Sequence, residues 1–168
     1  ETIIGCVPAL GRLFLLTQAS LQVGQTTGQT AVPLTARPFW KSTGFTNPDQ
    51  LTFADDTLYG YPASGPTRSR ADADEAVVQK DFAADMQEII STWIHGQVSV
   101  VHDPKNDAMC FIHSADSLNA SGYWTTRVLM YGLRQQALIG DVVLESTTQD
   151  MIVSGVATVG ERFEFLAG

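Results

Sequence analysis

The sequence predicts a mainly β chain: repeated antiparallel hairpins forming β-propeller-like blades, with one inserted amphipathic helix. Three observations carry that reading. Pairs of short apolar, alternating segments occur four times, each pair joined by residues suited to tight reversals. Corresponding positions Leu13, Leu58, Met109 and Phe163 lie 45, 51 and 54 residues apart, close to the ~40–50 residues of a four-stranded blade. One stretch alone departs from strand period and repeats its apolar residues at helical spacing.

The first hairpin is predicted over 3–17, from Ile3-Ile4-Gly5-Cys6-Val7 and Arg12-Leu13-Phe14-Leu15-Leu16-Thr17, reversing at Leu10-Gly11. Ser20-Leu21-Gln22-Val23 supplies a further strand. Residues 24 to 50, rich in Gly, Thr, Gln and Pro and without period, read as a long exposed connection closing at Gly44-Phe45-Thr46-Asn47-Pro48. The second hairpin, over 51–61, turns at Asp55-Asp56. A helix is predicted near 74–94, because Val78, Phe82, Met86, Ile89 and Trp93 fall on one face, Asp72 with Glu75 gives a start signal and Gly96 a stop. That face should be buried at Phe82, Ile89 and Trp93, leaving Lys80, Gln87 and Ser91 in water. The third hairpin, over 98–113, turns through Asp103-Pro104-Lys105-Asn106-Asp107 and is followed by strands at 125–131 and 136–139. The fourth, over 153–166, turns at Val159-Gly160-Glu161.

The 168 residues fit a single β-rich domain, 1–168. The start at Glu1 without Met and the strand-like Phe163-Glu164-Phe165-Leu166 at the other end suggest a fragment of a larger propeller protein. Charged residues make up 17%, below the usual ~25%, so much of the surface must draw on Gln, Thr, Ser and Gly, as suits an extracellular, virion or assembly protein. A net charge of −8 disfavours a phosphate-backbone binder. No apolar run approaches the ~18 residues of a membrane span; the strongest is Leu13 to Leu16. Cys6 and Cys110 are far apart in apolar stretches and read as small hydrophobic residues rather than a disulfide.

Chemistry has few candidates. Asp81, Asp85 and Glu88 share a helix stripe, but without a Ca²⁺-loop pattern they read as a solvated face. Cys110 and His113 would point to opposite sides of a strand, and His95 and His102 complete no zinc spacing. Asp55, Asp56 and Asp103 could line the channel of a hydrolase or lyase propeller, yet no base or nucleophile accompanies them, so they read as turn residues. No nucleophile-elbow, zinc-protease or phosphate-loop motif occurs, and the expectation is no catalytic residue, no metal and no cofactor. Asn119-Ala120-Ser121 matches a glycosylation sequon, a signal too short to use. Trp40, Tyr123 and Trp124, in or beside low-charge loops, are the candidate contact residues, either filling wedges between blades or stacking on sugar faces.

The run Asp81-Phe82-Ala83-Ala84-Asp85-Met86-Gln87-Glu88-Ile89-Ile90-Ser91-Thr92-Trp93 followed by Val98 to Phe111 resembles blades of propeller-type structural proteins of tailed-bacteriophage tails, among them nozzle and hub-associated proteins. Gly11 to Gly24 looks like a hairpin of the same proteins, and Gly44-Phe45-Thr46-Asn47-Pro48 like their blade opening. The resemblance is one of pattern and covers about three quarters of the chain. It implies a non-catalytic part of a ringed tail assembly, located in the virion, whose partners are copies of itself and other tail proteins. DNA would pass an acidic wall of this kind without specific binding. A glycan- or host-surface-binding propeller module is the alternative.

Overall fold

Tight reversals demand residues at positive φ, and the chain supplies them where the sequence places turns. In the computed structural model Leu10 and Gly11 sit at φ 49° and 71°, Asp55 and Asp56 at 47° and 59°, and Asp107 at 50°, the left-handed geometry that matches the twist of a hairpin. The structure describes residues 2–31, 34–41, 43–73, 76, 78–93, 97–148, 153–159 and 162–167, the last two by backbone alone, and the backbone alone of 81 and 83.

Two compact units result, Glu1–Lys80 and Asp81–Gly168. In the first, β1 (Ile3–Ala9), β2 (Arg12–Thr17), β3 (Leu21–Thr26) and β4 (Leu34–Trp40) form a four-stranded antiparallel meander in chain order. A 3-10 turn, Pro48–Gln50, capped by Asn47, leads into the three-stranded meander β5 (Leu51–Ala54), β6 (Thr57–Gly60) and β7 (Thr67–Arg70). The core between the two sheets holds Phe14, Leu16, Leu21, Val23, Trp40 and Leu58, all fully buried. Arg12 fixes the chain beyond β7 by donating to the Ala73 carbonyl at 2.7 Å.

The second unit repeats the design. Strands β8 (Gln97–Asp103), β9 (Ala108–Ser114), β10 (Trp124–Gly132) and β11 (Ala137–Ser146) form another four-stranded meander, and β12 (Val153–Val159) with β13 (Arg162–Ala167) makes a hairpin. All four predicted hairpins are therefore present as paired strands, the fourth with its turn residues Gly160 and Glu161 outside the described residues, and the described residues are mainly antiparallel β. No sheet closes into a barrel or propeller among the described residues.

Two relationships link the sheets. Within each unit the first strands of its two sheets adjoin: β1 lies against β5 in the first, and β8 against β12 in the second. The outer hairpins share one register: Ala9 pairs with Arg12 and Gly5 with Leu16, while Val159 pairs with Arg162 and Gly155 with Leu166. Each carries one extra residue on its first strand just before the glycine, between Ile3 and Gly5 and between Val153 and Gly155. The offset is 150 residues throughout. At Gly5 a Cβ would stand 2.7 Å from the Cβ of Pro48, so the glycine lets the 3-10 turn approach β1.

The expected helix near 74–94 is corrected. Among the described residues of this segment, helical structure is confined to a 3-10 stretch, Asp81–Met86, and one α-helical turn, α1 (Gln87–Ile90). Gln79 exchanges both backbone hydrogen bonds with Arg68, which holds the chain extended before residue 81 and removes the amides a longer helix would need. The face shifts with it: Phe82, Met86 and Ile90 are buried, whereas Ile89 and Trp93 are only half-buried. Lys80, Gln87 and Ser91 are exposed, as the periodicity predicts. Val78 packs on the core of the first unit instead. The start signal at Glu75 and the stop at Gly96 lie outside the described residues.

The long connection over 24–50 is also corrected. Its middle forms β4, whose outer residues are exposed and whose end, Phe39 and Trp40, is buried. Pro38 lies in this strand, where a missing N–H is tolerated because β4 is an edge.

Candidate functional site

Of the three aromatic contact candidates, Trp40 is a core residue. It is fully buried, stacks on Phe45 at 6.2 Å between ring centroids and donates its indole N–H to Ser69 Oγ at 2.6 Å. Trp40 ends β4 and Ser69 lies in β7, so the indole ties two sheets; it is withdrawn from any surface role. A Cβ on Gly60 would come within 2.9 Å of its ring.

Tyr123 and Trp124 stay at the surface, Tyr123 exposed and Trp124 half-buried at the start of β10, opposite Ser146. Asn119 builds the loop that presents them. Its Oδ1 accepts from the Ser121 and Tyr123 amides, both at 3.0 Å, and its Nδ2 donates to Glu145 Oε1 at 2.9 Å and Thr125 Oγ1 at 3.3 Å. With the side-chain amide engaged on both ends, the sequon reads as loop architecture. Leu118 is exposed beside it.

Sequence reasoning missed the outer edge of the third sheet. Strand β11 is ten residues long, lies last in its sheet and exposes Ile139, Val142 and Val143. Ile139 sits at a bulge, between Leu138 paired with Tyr131 and Gly140 paired with Met130. The signal was present as a second apolar triplet, Val142-Val143-Leu144, beyond Gly140-Asp141, but the segment lacks the alternation that marks a strand with one wet face.

The titratable residues fill structural roles. Asp55 and Asp56 occupy the positive-φ turn. Asp103, buried, accepts from the Lys105 and Asn106 amides at 3.1 and 3.4 Å and from Asn106 Nδ2 at 2.5 Å, which closes the β8–β9 turn. Asp85 accepts from the Leu138 amide of β11, while Glu88 is exposed; the Asp81 side chain lies outside the described residues. Cys110 is buried against Ile112 and Val128, and burial, aided by the nearby Asp103 charge, pushes its thiol pKa up to about 12. His113 stacks on Trp93 at 4.8 Å, 10° from parallel, on the other face of β9 from Cys110. His102 faces Met109 across the hairpin with Nε2 buried and unbonded, and His95 lies outside the described residues.

Both cysteines are free thiols. Among the described residues no group of three His, Cys, Asp or Glu side chains is placed to hold a metal ion, and no helix is long and apolar enough to cross a membrane. Arg127 and Asp141 form the best-defined surface pair, with two hydrogen bonds at 2.8 and 2.6 Å that hold the carboxyl below its ordinary range. What the arrangement offers is contact: an aromatic-tipped loop and an open strand edge. No protein-family model matches the chain, and no curated protein matches its sequence.

Proposed function

We propose that the chain is a non-catalytic structural component of a bacteriophage tail, a nozzle- or hub-like ring part in the virion built from propeller-like blades. The observation that carries the blade reading is the repeat itself. Sheets succeed one another as meanders in chain order, the first strands of the two sheets within each unit adjoin, and the first and fourth hairpins share a register at an offset of 150 residues. Stacked meanders bury their faces on one another and leave outer strands and loops free for neighbours. The tail assignment itself draws on the pattern resemblance at 81–111 and 11–24 and on the low-charge, acidic surface. Its partners are copies of itself and other tail proteins, with DNA passing unbound.

A glycan-reading module is the second reading, favoured by the exposed Tyr123 on its ordered loop. The test substitutes Tyr123→Ala and Trp124→Ala in the full-length protein. A scaffold role predicts weakened assembly with no change on a glycan array; intact assembly with loss of binding to a sugar polymer would replace the scaffold reading by the glycan one.

A further inference from the structure

Outer strands of open sheets present unpaired N–H and C=O groups, and proteins usually guard them. Here β4 carries Pro38, and β7 is bridged by Gln79. Strand β11 has neither. Asp85 covers its first amides by accepting from Leu138, but over residues 139 to 146 no described backbone group pairs with its outer side. The strand has no Lys, Arg or Pro, and Val142 and Val143, which point to opposite faces, are both exposed.

We propose that the edge of β11 from Gly140 to Ser146 is a strand-addition site for an extended segment of a partner protein, apolar at its centre and bearing a Lys or Arg. Main-chain pairing would supply affinity, and alternate side chains selectivity. Charge selects the partner. The Asp141 carboxylate is matched by Arg127, but among the described residues Glu145 receives only the neutral amide of Asn119, and the chain as a whole carries −8. A basic side chain opposite Glu145, two residues from an apolar one opposite Val143, satisfies both positions. A second copy of β11 would bring its own Asp141 and Glu145 and no base, so the acidic edge disfavours self-pairing. The site needs only this strand and is independent of the tail reading.

The test titrates the isotope-labelled full chain with a blocked heptapeptide of alternating valine and threonine with lysine at each end, followed by amide chemical shifts. Saturable shifts confined to Gly140–Ser146 are expected. Binding should fall about tenfold for a twin with glutamate at each end and for Glu145→Gln, a change equivalent to ~1.4 kcal/mol, and vanish for a twin N-methylated on its pairing edge. Val143→Lys, at an exposed position, should also abolish it; Glu145→Gln keeps the test informative if that variant folds poorly. No shift at millimolar peptide, equal binding of the N-methylated twin, or the same shifts on concentrating the chain alone would overturn the proposal, the last by making a second copy the occupant.

Discussion

The indole N–H of Trp40 and the hydroxyl of Ser69 meet at 2.6 Å inside the first unit, joining the last residue of one sheet to the outer strand of the next. Both residues are buried, so the bond is shielded from water and neither group has a solvent alternative.

Trp40→Phe should therefore cost ~1–3 kcal/mol, chiefly by leaving Ser69 without its donor, and Trp40→Ala ~3–5 kcal/mol as a cavity opens beside Phe45 and Gly60. Urea denaturation followed by far-ultraviolet circular dichroism measures both; equal, small losses would place the indole outside the core.

Phe82 offers the matching test in the second unit. Its ring meets Tyr131 edge-on at 5.3 Å and Phe111 at 6.3 Å. Phe82→Ala should cost ~3–5 kcal/mol, whereas Ile89→Ala, at a half-buried position, should cost less than half as much. Denaturation midpoints that rank the other way would restore the longer helix and its predicted face.

The two thiols should differ in reactivity. Cys6 is exposed, while Cys110 is buried with its pKa pushed up to about 12. A thiol-specific reagent at neutral pH should label one cysteine per chain in the native state, at Cys6, and both in urea, as mass spectrometry of the peptides would show. Because the folded Cys110 pKa is raised, its contribution is complete below the ordinary thiol pKa of ~8.5. It declines as pH rises through about 12.

The Arg127–Asp141 pair sets an acid-side dependence. The guanidinium hydrogen bonds lower the folded carboxyl pKa, so the pair stabilises above the unfolded carboxylate value of ~3.9. That contribution is lost as pH falls through the depressed folded value. With the side chains 29% and 31% exposed, screening limits it to less than ~1 kcal/mol. Asp141→Asn should flatten the stability profile between pH 5 and 2 by about that amount, as thermal melts across that range would record.

Legibility in the sequence followed which physical signal each element uses. Hairpins β1–β2, β5–β6 and β8–β9 announce themselves because apolar alternation and positive-φ turn residues agree, and β12–β13 by its alternation. Strand β4 was hidden by Arg37 and Pro38, acceptable only on an edge, and β7 by its buried Thr67 and Ser69, polar residues facing inward. The residues 78 to 93 kept helical spacing while serving two cores, since Val78 packs in one unit and Phe82 in the other. Trp40 could not be told from a surface aromatic because its partner, Ser69, lies 29 residues away and carries no pattern.

If this chain is, as we propose, an assembly part built from blade-like repeats, native mass spectrometry of the full-length gene product will show it. One closed oligomer of fixed copy number is expected, persisting on dilution and dissociating when Tyr123 and Trp124 are both changed to Ala. A product that stays monomeric at every concentration would contradict the proposal.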